Sequence, residues 1–363
     1  MRYIGNKTRL VPFILDVVRR LEPSVGVACD PFAGTASVSR ALKRQGWTVH
    51  AGDLMAFSYA LQVTHVELDR TPRFPVSALG AGEQGGRPGL SYAAILRELE
   101  GLPPAHGFIS EHYSPDGLAG GRHGRMYFTP ENAGLIDAIR QRIAEWRAEG
   151  LLDPARCQLL LATLVEAADR VANTTGVYAS FVKSWQPNAC RRLELRQLRP
   201  TSRRNGGGRC TAHRGEAAGR VAAVGTMDLL YLDPPYNERQ YPAYYHIPEL
   251  IASGWDDPPE LRGKTGLIPD EDLRSDWCRR DRCEAALREL LGRADARHIL
   301  LSYNDEGLLA PEVIADVLRE TGDADSYRRT GTDYRRYRSD GDGPGRTYRR
   351  DRVREQLHYV KRP

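Results

Sequence analysis

The stretch VGVACDPFAGTASVSRALKRQGWTVHAGD, Val25 to Asp53, decides the fold class. It reads as a strand, a glycine-bearing loop, a helix and a second strand, the opening of an α/β nucleotide-binding fold. The loop DPFAGTA lacks the GxGxxG spacing. It fits a tight strand-to-helix turn as well as it fits a site where a ligand approaches the backbone. Asp53 ends the second strand roughly twenty residues on, where a ribose diol would be hydrogen-bonded, although a strand-end acid can also simply be solvated.

Outward from this opening the pattern breaks and then resumes. GAGEQGGRPG (Gly80 to Gly89) and RRNGGGRC (Arg203 to Cys210) are turn-rich punctuators. Between them, Thr129 and Pro130 open a helix with Leu135, Ile136, Ile139, Ile143 and Trp146 at helical spacing, and Asp153 and Pro154 open a second. That second helix is apolar nearly all round from Leu159 to Val171, which predicts burial. After Cys210 the run LLYLDPPYNERQY, Leu229 to Tyr241, reads as a strand buried on both faces and followed by Asp233. ARHILLSYNDEG (Ala296 to Gly307) predicts a further buried strand, and EQLHYV near the end an edge strand. These features predict one α/β domain split by a largely helical insertion of roughly 140 residues, a length that suits a subdomain.

The 363 residues hold 52 lysines and arginines against 47 acids, a formal charge of +5, which hints at a polyanionic partner without requiring one. Six cysteines show neither metal spacing nor a secreted disulfide framework, so reduced thiols are expected. The amino terminus lacks a hydrophobic signal core, and no run approaches the ~18 apolar residues of a membrane span. A soluble cytoplasmic protein with no bound metal is the expectation.

Asp233 falls at the carboxyl end of its strand, where ligands sit in parallel sheets, and Pro234 and Pro235 stiffen the backbone after it. A DPPY tetrapeptide there supplies what methyl transfer to an exocyclic amine requires. The amine lone pair is delocalised into its ring. Hydrogen bonds from the two N–H groups to the Asp233 carboxylate and the Pro234 carbonyl would free that lone pair to aim at a methyl group held in line, while Tyr236 stacks on the base. The plainer alternative is an acidic helix cap followed by prolines.

These residues resemble the Dam-like N6-adenine DNA methyltransferases, including the adenine methylases of type II restriction-modification systems. RYIGNK (Arg2 to Lys7) looks like the amino-terminal cofactor motif of that family, and DPFAGTA is similar to its DxFxGxG loop, with Ala36 in place of the last glycine. DPPYNERQY matches the catalytic motif. HRGEA (His213 to Ala217) looks like the segment whose acid contacts the cofactor adenine, with Glu216 in place of Asp. VANTTGVYASFVKSW (Val171 to Trp185), RGKTG (Arg262 to Gly266) and LLSYNDEG (Leu300 to Gly307) also resemble stretches of restriction-system methylases.

The resemblance implies a Rossmann-like S-adenosylmethionine-dependent methyltransferase fold, with catalytic Asp233, Pro234, Pro235 and Tyr236. It implies cofactor contacts from Tyr3, Lys7, Asp30, Phe32, Gly34, Thr35, Asp53, Glu216 and Asp233. It also implies residues 1–66 and 206–326 as the catalytic domain and residues 67–205 as a target-recognition insertion. A basic carboxyl-terminal segment, residues 327–363, holds ten arginines interleaved with tyrosines between Tyr327 and Arg354. Guanidinium forks suit phosphates, so Arg335, Arg336, Arg338, Arg349 and Arg350 are expected to contact double-stranded DNA, with Arg239, Arg262 and Lys264. A cognate restriction endonuclease is a further expected partner, and a bacterial, nucleoid-associated location follows. N4-cytosine or RNA amines as substrates, or a non-catalytic DNA-binding module, stay open as alternatives.

Overall fold

The structure, a computed structural model, describes residues 1–21, 25–75, 89–203, 207–335 and 352–362. By their contacts the residues fall into two units: Ile4–Gln62, Thr201–Tyr241 and Asp272–Pro363 form one, and Met1–Tyr3, Val63–Pro200 and Pro242–Glu271 the other. The second return to the helical unit, over Pro242–Glu271, lies in a span that the sequence reading placed with the sheet.

The first unit is built on a seven-stranded sheet in the order β3-β2-β1-β4-β5-β7-β6. Its strands are β1 (Val27–Asp30), β2 (Thr48–Asp53), β3 (Thr211–Arg214), β4 (Thr226–Leu232), β5 (Asp295–Asn304), β6 (Arg328–Arg335) and β7 (Arg352–Lys361). Pairings among β1 to β5 are parallel, whereas β7 runs antiparallel to both neighbours. The chain leaves β1 to build β2 and β3 on one side and later returns to build β4 and β5 on the other. Its direction of winding therefore reverses between β1 and β4, and in such sheets ligands bind outside the carboxyl ends of the strands at that point.

The continuous apolar run of β4 is explained by burial on both faces: Leu229, Leu230, Tyr231 and Leu232 are each at most 2% exposed. Leu230 and Leu232 join Ile299 and Leu301 of β5 in one core cluster with Val221, Leu287, Leu290, Ile314 and Leu318. Those last five come from helices α9 (Ala217–Val224), α11 (Cys283–Arg293) and α12 (Pro311–Thr321), while α1 (Val11–Leu21), α2 (Ser37–Arg44) and α3 (Ala56–Gln62) complete the unit. Gly26, just before β1, is required by close approach, because a Cβ there would meet the Asp228 carboxylate that accepts the Val27 N–H at 2.7 Å. The EQLHYV strand is not an edge. It lies between β5 and β6, with Leu357, His358, Tyr359 and Val360 all buried, and two of its polar side chains find partners: His298 Nδ1 lies 2.8 Å from the Tyr359 hydroxyl and the Tyr327 hydroxyl 2.9 Å from His358 Nδ1.

The helical unit contains α4 (Tyr92–Glu100), α5 (Phe108–Tyr113), α6 (Leu118–Arg122), α7 (Pro130–Ala148), α8 (Pro154–Val171) and nearly all of α10 (Tyr241–Ser253). The cap residues act as their types predict. Thr129 accepts the Asn132 N–H and Asp153 that of Arg156, each followed by a proline whose missing N–H is harmless in the first turn. Pro248 explains a break in α10: it cannot donate to the carbonyl four residues back, Tyr245 takes non-helical angles, and the freed Tyr244 carbonyl accepts the Tyr178 N–H at 2.8 Å.

Residues 262–267 form a small hairpin closed by Arg262 and Leu267 and held from beneath by buried Arg125. Arg125 donates to the carbonyls of Lys264 (2.9 Å), Gly263 (3.0 Å) and His112 (3.1 Å), and the Tyr113 hydroxyl donates to that of Gly266 (2.6 Å). Hydrogen bonds from a charged donor contribute about 1.5 to 3 kcal/mol each at most, and the losses are not additive. Arg125→Met should therefore destabilise this unit by about 2 to 4 kcal/mol and expose the hairpin. Limited trypsin digestion should cut the variant after Lys264 many times faster than the parent; equal rates would mean that Arg125 does not hold the hairpin.

Candidate active site

Four neighbouring parallel strands deliver an acid to the same edge of the sheet. Asp53 and Asp30 end β2 and β1, Asp233 follows β4, and Glu216 lies two residues beyond β3. Across the sheet the order is thus Glu216, Asp53, Asp30, Asp233, with the winding reversal between the last two.

The turn after β1 is shaped by two left-handed residues, Gly34 (φ 50°) and Ala36 (φ 63°). Ala36 occupies the position where the family pattern has glycine, and only glycine adopts this conformation without steric cost. The Asp53 carboxylate closes the turn from the neighbouring strand. Its Oδ2 accepts the Gly34 N–H at 3.0 Å and its Oδ1 that of Met55 at 2.9 Å, while burial pushes its pKa up to about 6. Asp30 is more deeply placed, 1% exposed, with Oδ2 accepting from the Ser39 hydroxyl at 2.6 Å. Among the described residues its Oδ1 has no hydrogen-bond partner, and burial, opposed by the Ser39 bond and helped by Asp233, raises its pKa to about 7. Thr35 accepts a hydrogen bond from Asn6, whose own Oδ1 takes the Ser37 hydroxyl, so the amino-terminal loop is docked on this turn. Phe32 meets Trp277 edge to face, with ring centroids 4.9 Å apart.

At the end of β4, Asp233 Oδ1 lies 3.1 Å from the Lys7 ammonium. The same ammonium reaches Glu355 Oε1 at 2.5 Å, and that oxygen also accepts from the Ser302 hydroxyl at 2.6 Å. Burial opposes the charge on Lys7, but Asp233 and Glu355 together hold its pKa above the ordinary lysine value. For Asp233 the balance runs the other way: burial dominates, Lys7 opposes it, Glu355 reinforces it, and the pKa rises to about 7. Pro234 is buried, and Pro235 and Tyr236 are half-buried. The Tyr236 carbonyl accepts the Leu308 N–H at 3.1 Å, and its ring lies edge-on to Tyr303 and 5.8 Å from the Lys7 ammonium.

The structure thus brings Asp30, Phe32, Gly34, Thr35, Asp53 and Asp233 to one sheet edge, with Glu216 exposed at its far end. Lys7, expected at the cofactor, bridges two carboxylates, and Tyr3 groups with the helical unit, its ring 5.0 Å from that of Tyr245. Arg239, Arg262 and Lys264 are exposed, and Arg262 pairs with Glu271 at 2.9 Å. Arg335 closes β6, whereas Arg336, Arg338, Arg349 and Arg350 lie outside the described residues. Glu355 and Ser302 were missed by sequence reasoning. The available signal was an acid inside an otherwise buried strand, which is rare without a partner.

The sequence pattern of the D12 class N6 adenine-specific DNA methyltransferases matches residues 3–304. The chain is 34% identical to the type II methyltransferase M.NlaIII of Neisseria lactamica, over 100% of this chain and 99% of that protein. It is 36% identical to the type II methyltransferase M.FokI of Planomicrobium okeanokoites over 93% of this chain, and 31% identical to the modification methylase StsI of Streptococcus sanguinis over 100% of it. It spans 50% of M.FokI and 52% of StsI. A match over most of the chain places this protein among the D12 class N6 adenine-specific DNA methyltransferases.

Proposed function

We propose that the chain transfers a methyl group from S-adenosylmethionine to the N6 amino group of an adenine turned out of duplex DNA at a specific sequence. The observation that supports this most is the Asp233 carboxylate, held by Lys7 through one oxygen at the strand end beside the winding reversal. Among the described residues no hydrogen bond reaches its other oxygen. That oxygen and the Pro234 carbonyl would accept the two N–H groups of the amine, and the Tyr236 ring would stack on the base.

The acids along the edge fit S-adenosylmethionine, which carries a sulfonium, an ammonium and a ribose diol. Among the described residues no hydrogen bond reaches the buried Asp30 Oδ1, and the Asp53 carboxylate has acceptor capacity left for the diol. The bound cofactor supplies an electrophilic methyl group on sulfur. Phe32, Gly34 and Thr35 would shape the methionine end, and Glu216 would accept from the adenine amine. Asp53→Ala should weaken cofactor binding by ~1 to 3 kcal/mol, the range for a lost charge-assisted hydrogen bond. Calorimetry giving the parent affinity would remove Asp53 from the site.

We assign target recognition to the helical unit and phosphate contacts to Arg239, Arg262, Lys264 and the carboxyl-terminal arginines. The reading carries with it a cognate endonuclease as partner and a bacterial nucleoid as location. Incubating the purified chain with duplex DNA and deuterated S-adenosylmethionine, followed by nucleoside mass spectrometry, tests the function. Deuterated N6-methyladenine is expected; N4-methylcytosine, or label in RNA alone, would overturn it.

A further inference from the structure

Glu355 belongs to none of the motifs at the carboxyl edge and lies beyond the residues matched by the family pattern. Topology brings it there. Because β7 runs antiparallel, it presents its beginning where the parallel strands present their ends, and Glu355 pairs in register with Asn304, the last residue of β5. The residue is 4% exposed, and Oε1 binds both the Lys7 ammonium and the Ser302 hydroxyl. A buried acid with two donors is an expensive arrangement, and among the described residues its one ionic partner is shared with Asp233.

We propose that Glu355 is a positioning residue for methyl transfer: it anchors the Lys7 ammonium so that Lys7 orients the Asp233 carboxylate through one oxygen without neutralising it. An ammonium bound to Asp233 alone would move onto that carboxylate and draw off the electron density that the substrate amine needs. Glu355, at 2.5 Å against 3.1 Å for Asp233, holds the larger share. The titratable and charged groups around Asp233 are Lys7 from the amino-terminal loop, Glu355 from β7, Asp30 from β1, the Tyr231 hydroxyl of β4 and the Tyr236 hydroxyl beyond it. Of these, Glu355 is the acid bonded to the same ammonium. Its negative charge pushes Asp233 towards the protonated form and Lys7 pushes the other way.

The inference rests on the proposed role of Asp233, and the pH profile of single-turnover methylation tests it. In Glu355→Gln the rate at pH 8 should fall about ten- to a hundredfold as the ammonium shifts onto Asp233, with cofactor and DNA affinities near those of the parent. The acid limb should move down by on the order of one pH unit, because the repulsion is gone. Glu355→Asp, which keeps the charge, should return the limb towards the parent position. Should Glu355→Gln fail to fold, the double variant Lys7→Met with Glu355→Gln is compared with Lys7→Met alone, and its limb should lie lower. An unmoved limb in these variants, with a parent that methylates adenine, overturns the role of Glu355 alone. A parent that methylates no DNA overturns the proposed function instead.

Discussion

Lys7→Met should destabilise the sheet unit by about 3 to 5 kcal/mol at pH 8, the loss expected when one member of a buried ionic cluster is removed and its partners are left facing each other. Lys7 is 5% exposed and is bonded to both Asp233 and Glu355. Its raised pKa means that its contribution is fully present below the ordinary lysine value of about 10.5, so the parent has it throughout the neutral range. In the variant the two carboxylates repel, and Asp233, whose pKa burial and Glu355 already raise in the parent, titrates at higher pH in the folded state than in the unfolded one. An acid whose folded pKa is raised contributes stability that is present below about pH 4 and lost as pH rises through its folded value. The deficit of Lys7→Met against the parent should therefore be small near pH 4.5 and grow through pH 7, where the parent Asp233 already titrates. Urea denaturation across this range checks it. A deficit independent of pH would show that Lys7 contributes by packing alone.

Much of the fold was legible because the parallel strands leave a strong pattern. The stretch from Val25 read as a strand and Leu229 to Leu232 as a strand buried on both faces, and the helix caps Thr129 and Asp153 announced α7 and α8. Asp233 was legible because it stands where the apolar run Leu229 to Leu232 stops, whereas Asp53 was read from its spacing after the loop and Glu216, beyond the polar strand Thr211–Arg214, from the resemblance. What remained hidden depends on contacts distant in sequence. Lys7 meets Glu355 across 348 positions, and no local spacing encodes that pair. β7 looked like an edge strand because His358 and Tyr359 are polar, but each has an internal partner. The return of Pro242–Glu271 to the helical unit was hidden for a similar reason: its tie to that unit includes the Arg125 bonds to backbone carbonyls, which carry no side-chain signature.

Asp233 should serve the transition state of methyl transfer more than the binding of either substrate. In the ground state the amine is a weak donor, whereas in the transition state its nitrogen gains positive charge, so the carboxylate and the Pro234 carbonyl bind that state more tightly. Removing Asp233 should leave the fold intact, because Lys7 keeps Glu355 as its partner. In the parent, protonation of Asp233 near its pKa of about 7 should also slow turnover as pH falls, and this dependence should vanish in the variant. The decisive measurement is single-turnover methylation of duplex DNA with tritiated S-adenosylmethionine by Asp233→Ala, with cofactor and DNA affinities measured alongside. The expected rate is lower by about 10²- to 10³-fold, the loss typical of a group aimed at developing charge, with both affinities within a few-fold of the parent. A rate close to that of the parent would contradict it and make the end of β4 a structural turn.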